Sequence, residues 1–207
     1  MTAGAAKPPS LDGLVSRWLN RPLSRPTARL LAHTPITPNQ VTILSTLIAF
    51  VAGALLIAGG NIWAGVAIHV SSVVDGVDGD LARLRGRSSR FGAVLDAVLD
   101  RYADAAIFGG MAWWAQQHEA YAAPLLLGLV ALTGAFAVSY SRARIEASAG
   151  LKLAGELLGL GSRDVRLLIA AAGCLVGQAW LALLLIALLS HATVLWRLIR
   201  LSRPTNE

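Results

Sequence analysis

Cysteine is nearly absent from this chain. Cys174 stands alone inside an apolar run, so no internal disulfide can form and no thiol chemistry is indicated. Charge is scarce as well: 14% of residues are charged against 55% hydrophobic, which excludes an ordinary soluble domain of 207 residues. Residues 1–36 lack the continuous apolar core of a cleavable signal peptide. No convincing internal repeat is visible. The net charge of +6 suggests nucleic-acid binding only until the charges are located. They bracket apolar segments instead of covering one surface, so no nucleic-acid partner is expected.

What is abundant is apolar sequence in membrane-length blocks. Residues 37–58 read as a first span, with Thr37 as N-cap and Pro38 at the first helical position. Residues 62–83, 90–115 and 121–141 read as three more, the third closing on Trp113 and Trp114 as an interfacial aromatic pair. Residues 163–201 provide two further spans of about 20 residues each, with a turn at Gly177 and Gln178. The reading is therefore an all-α integral membrane protein with six transmembrane helices over residues 37–201. Residues 10–36 form an interfacial amphipathic segment, with Leu11, Leu14, Val15, Trp18 and Leu19 as its apolar stripe and Arg25 and Arg29 toward anionic lipid. Residues 1–9 read as disordered and 202–207 as a tail.

Orientation follows from the cations. With six spans, every Lys and Arg except Arg101 falls at one end of the bundle, and the opposite loops carry none. The positive-inside rule then places both termini at the cytoplasmic face of the cell membrane.

The carboxylates lie at that same end. Asp75, Asp78, Gly79, Ala82 and Arg83 are spaced i, i+3, i+4, i+7, i+8 and share one helical face; Gly92, Asp96 and Asp100 share another. If the two helices run antiparallel about a turn near residue 87, Asp78 and Asp96 lie at equal depth, with Asp75 and Asp100 one turn further in. Clustered carboxylates need compensation. An oxygen-only set without Cys or His suits Mg²⁺, Mn²⁺ or Ca²⁺ rather than zinc, and two ions sharing Asp75, Asp78, Asp96 and Asp100 would clamp a diphosphate. Ionisable residues in spans line a site or a water-filled cavity by default. Asp80, about 140° round the helix from Asp75, reads as an ordinary solvated or capping residue. Arg101 and Asp104 are open to two readings, a structural Arg101–carboxylate pair between helices or a catalytic role. Arg142, Arg144, Arg163 and Arg166 flank the loop between the fourth and fifth spans, where four guanidiniums facing one cavity would bind a phosphorylated ligand; topogenic charge and lipid-phosphate contact are the other reading.

The pattern D-x-x-D-G-x-x-A-R, eight residues, G-x-x-x-D-x-x-x-D resembles the signature of the CDP-alcohol phosphotransferase family, matched here at Asp75, Asp78, Gly79, Ala82, Arg83, Gly92, Asp96 and Asp100. The resemblance covers most of residues 20–170. It implies a CDP-linked donor held by Asp78, Gly79, Ala82, Arg83 and Gly92, Mg²⁺ or Mn²⁺ (two ions) on the four aspartates, and Asp100 as general base. It also implies release of CMP and a homodimer. The stretches Phe91–Ala97 and Tyr140–Glu146 resemble the branch that uses an inositol phosphate acceptor, whose phosphate Arg142, Arg144, Arg163 and Arg166 would hold. Within it, Thr37–Thr42 and Ser162–Arg166 are more similar to di-inositol-phosphate phosphate synthases, which take CDP-inositol, than to phosphatidylinositol-phosphate synthases, which take CDP-diacylglycerol. A reading from another class is a cation transporter, since carboxylates in membrane helices also build those; it leaves the small residues beside Arg83 without a purpose.

Overall fold

The computed structural model describes residues 16–86, 89–149 and 161–202, and these are all-helical. A π-helical turn (Ser16–Asn20) leads into α1 (Arg21–Leu31), α2 (Pro38–Ile57), α3 (Asn61–Leu84), α4 (Arg90–His118), α5 (Pro124–Ala149), α6 (Arg163–Leu175) and α7 (Ala179–Ser202). The expected boundaries have local causes. Thr37 and Gln40 form a reciprocal capping box, 2.8 and 3.3 Å, with Pro38 opening α2. Ser89 caps α4 through the Gly92 amide at 2.9 Å, and Ser162 caps α6 through the Val165 amide. Gly177, at φ +69°, makes the turn between α6 and α7 where one was expected.

Among the described residues three helices, Pro38–Ile57, Pro124–Ser148 and Ala179–Ser202, are long and apolar enough to cross a membrane. α3 and α4 have the length, at 24 and 29 residues, but carry the aspartates. The expectation of two spans of similar length after residue 163 is corrected: α6 has 13 residues, about 20 Å of helix against a hydrocarbon core of about 30 Å. Leu47, Val51, Leu126, Leu129, Leu185 and Leu188 are exposed, a surface suited to lipid and not to water. Trp114 is also corrected. It is 7% exposed and stacks on the exposed His118 ring, while of the pair Trp113 alone faces outward.

α2 packs closely against both α3 and α4, whereas α3 and α4 touch each other little among the described residues. The site opens in that splay. Backbone proximity permits it: a Cβ on Gly53 would lie 2.6 Å from the Ala106 carbonyl oxygen, and one on Gly110 would lie 2.8 Å from the Gly53 oxygen. Below, Leu56, Ile68, Ile107, Phe108, Met111 and Leu183 form one core. Ala28, Val41, Val77 and Leu81 form a smaller one that docks α1 on α3. Gly53→Val must push α2 from α4, and overpacking of this kind costs about 1–3 kcal/mol. The expected result is a lowered thermal midpoint, read by thermal unfolding.

Of the interfacial stripe, Trp18 and Leu19 are exposed, while Leu11, Leu14 and Val15 lie outside the described residues. Residues 1–9, Arg87 and Ser88 of the expected turn, and residues 203–207 of the expected tail also lie outside them.

Candidate active site and metal centre

Helical spacing brings Asp75 of α3 together with Asp96 and Asp100 of α4. Carboxylate oxygens of the three all lie within 4.8 Å of one another. Asp78, one turn along α3, accepts a short hydrogen bond from the Thr42 hydroxyl of α2. It lines a cleft of about 200 Å³ with Gly79, Ala82 and Arg83 from α3, Ser89, Gly92 and Asp96 from α4, and Pro38, Asn39 and Thr42 from α2. Carboxylates and an anion-ready arginine therefore meet in one opening. Gly92 sits tightly, because a Cβ there would stand 3.0 Å from both the Asn39 Oδ1 and the Ser89 Oγ, and those side chains would have to give way.

Cations from α6 answer the charge. Arg163 Nη1 lies 2.9 Å from Asp75 Oδ2 and 2.7 Å from Asp100 Oδ1, and its Nε donates to Asp104 Oδ1 at 3.1 Å. Arg166 is fully buried; Nη2 lies 3.5 Å from Asp104 Oδ2 and Nη1 donates to the Gly161 carbonyl at 2.8 Å. No Arg101–carboxylate pair between helices forms among the described residues, and Asp104 belongs to the α6 arginines. Arg101 instead donates to Ser139 of α5 at 2.5 Å and to the Ala97 carbonyl, and lies 3.9 Å from Asp100.

The residues present fit a hard divalent cation. The donors are oxygens only, they come from two rigid helices, and their spacing lets one ion reach all three. Asp96 faces the cluster and makes no hydrogen bond or close ion pair among the described residues.

The four arginines assigned to a phosphate do not share one environment. Arg163 and Arg166 join the carboxylate network, whereas Arg142 pairs with Glu146 on the exposed face of α5, at 3.0 Å, and Arg144 is exposed. Asp80 is a correction. It is neither solvated nor a cap but buried, held by Arg21 Nη1 at 2.5 Å, Arg83 Nη2 at 2.8 Å and Ser24 Oγ at 2.9 Å. The sequence reading also missed Asn39 and Thr42. Their only signal was the Thr37–Thr42 stretch, whose capping box points the next turn of α2 at the cleft.

The family model of the CDP-alcohol phosphatidyltransferases matches residues 35–199. The chain is 47% identical over 193 residues to a bifunctional IPC transferase and DIPP synthase of Rubrobacter xylanophilus, covering 93% of this chain and 43% of that protein. It therefore spans less than half the length of that relative. It is 37% identical to the phosphatidylinositol phosphate synthase of Mycobacteroides abscessus, covering 91% of this chain and 87% of that one. Among solved structures it is similar to the Mycobacterium tuberculosis phosphatidylinositol phosphate synthase with CDP-DAG bound, at a TM-score of 0.73 and 32% identity, covering 86% of this chain and 92% of that one. The same enzyme in complex with manganese and citrate matches at a TM-score of 0.72 and 33% identity, covering 85% and 87%.

Proposed function

This chain belongs to the CDP-alcohol phosphatidyltransferase family, and we propose that it moves a phospho-alcohol from a CDP-linked donor to a hydroxyl of an inositol-phosphate-like acceptor. The favoured reaction is that of a di-inositol-phosphate phosphate synthase, CDP-inositol plus inositol phosphate. The observation that carries the general reading is the Asp75–Asp96–Asp100 cluster opening into a cleft lined by Asp78, Gly79, Arg83 and Gly92. The choice of donor leans on the 47% identity to the Rubrobacter protein. A phospholipid synthase using CDP-diacylglycerol is the second reading, favoured by the likeness to the CDP-DAG-bound structure.

Asp75, Asp78, Asp96 and Asp100 would hold Mg²⁺ or Mn²⁺, two ions in our reading. Bound there, such ions would neutralise the charge of the donor diphosphate and make its phosphorus a better electrophile. Arg83 pairs with the diphosphate at the cleft wall, and Gly79 and Gly92 let the cytidine approach backbone. Asp100 takes the proton of the acceptor hydroxyl as its oxygen bonds to the phosphorus; the phosphoanhydride bond breaks, and CMP leaves with the electron pair. Arg163 and Arg166 draw the acceptor phosphate to the side of Asp100, with Arg142 and Arg144 at the approach. We read α2 to α7 as six membrane-traversing helices, the short α6 included, with both termini and the cleft toward the cytoplasm.

The test is a matrix of CDP-inositol and CDP-diacylglycerol against inositol phosphate, glycerol phosphate and serine, on purified protein with Mg²⁺, reading CMP and product. CDP-inositol with inositol phosphate is the expected pair. Transfer from CDP-diacylglycerol alone would make the chain a phospholipid synthase and sink the favoured reading.

A further inference from the structure

Asp80 occupies a position that the family spacing leaves open, and two of its three partners lie on α1, ahead of the residues 35–199 that the family model matches. Its Oδ2 accepts from Ser24 and its Oδ1 from Arg21. Those two bonds already dock α1 on α3. Yet Oδ1 also accepts from Arg83 Nη2, and the Arg83 side chain is 60% exposed at the cleft wall. An exposed arginine normally samples many rotamers and gains little from one surface ion pair. Here the carboxylate is itself clamped by a second helix, so it offers Arg83 a fixed point and not a mobile partner. Gly79 completes the seat: a Cβ there would stand 3.3 Å from Arg83 Nη1, so the guanidinium lies close along α3. The node has two guanidiniums on one carboxylate, and of the two the Arg83 guanidinium lines the cleft.

We propose that Asp80, oriented by Arg21 and Ser24 of the N-terminal helix, is a positioning residue that presets the Arg83 guanidinium for the diphosphate of the CDP-linked donor. This makes α1 a working part of the donor site. It rests on the donor reading above. An immobilised guanidinium loses less freedom on meeting a diphosphate, so the effect appears in donor affinity more than in turnover.

The experiment is a double-mutant cycle on the full chain in detergent, reading the Kd for CDP with Mg²⁺, the donor KM and kcat, and the thermal midpoint. Asp80→Asn is expected to raise Kd and KM about tenfold with a smaller change in kcat, the size of a charged hydrogen-bond partner lost. In an Arg83→Ala background the same change should add less than about twofold, because nothing is left to position. Asp80→Glu should recover part of the affinity, and Ser24→Ala should weaken it about two- to threefold. A purely packing role would lower the thermal midpoint with CDP affinity unchanged, or act additively with Arg83→Ala; either result overturns the proposal. If Asp80→Asn does not fold, the cycle of Ser24→Ala with Arg83→Ala decides by the same criterion. Wild-type protein that fails to bind CDP overturns the donor reading and this proposal together. CDP binding with additive substitutions overturns this proposal alone.

Discussion

Asp100→Asn is expected to lower kcat by about a thousandfold while changing CDP affinity by less than about threefold, within the usual range for loss of a general base. The isostere keeps the shape of α4 and removes the basic oxygen together with the negative charge that Arg163 pairs with. Asp75, Asp78 and Asp96 remain on the donor side, so CDP should still bind with metal. Asp100 lies one turn from Asp96, between Arg163 at 2.7 Å and Arg101 at 3.9 Å. Two cations at its flank are a place for an anionic acceptor to arrive with its hydroxyl toward the carboxylate. The check is single-turnover CMP release beside CDP titration. Near-wild-type turnover would remove Asp100 as base, and a parallel collapse of CDP binding would recast it as a donor-side ligand.

Asp96→Asn carries the second large effect, and it separates stability from activity. Asp75 and Asp100 each have Arg163 as an ion-pair partner, whereas Asp96 has no ion pair within 4 Å among the described residues, meets Arg163 and Arg101 only at longer range, and shares the cluster with two like charges. Removing its charge relieves repulsion in the metal-free protein. The thermal midpoint without divalent ion should rise by about 2–4 °C, as expected for roughly 1 kcal/mol in a chain of this size. Activity should fall by at least about a thousandfold, since a lost ligand disables the metal's charge stabilisation. Excess Mg²⁺ should not restore it. Unfolding curves with and without Mg²⁺, beside CMP release, check both halves. A lowered midpoint in metal-free buffer would mean that Asp96 serves the fold and that its partner has been misjudged.

The aspartates were legible because a helix repeats every 3.6 residues and their spacing follows that repeat over two adjacent elements. The same arithmetic misled at Asp80. Angular position on α3 tells which way a side chain points, but not that α1 has packed there with Arg21 and Ser24. Trp113 and Trp114 illustrate the limit differently: adjacent residues lie 100° apart, so one faces lipid and the other the core, and composition cannot choose. The length of α6 was hidden because Gly161 and Ser162 set its start and Gly177 its end, while apolar content runs on through α7. Asn39 and Thr42 entered the cleft through tertiary packing of α2 against α3 and α4, which no local pattern records.

The measurement that bears most directly on a metal centre built from α3 and α4 is CMP release by the purified wild-type protein, with CDP-inositol and inositol phosphate, before and after excess chelator. The account predicts release that stops on chelation and returns when Mg²⁺ or Mn²⁺ is restored. Release that continues unchanged in excess chelator would contradict it.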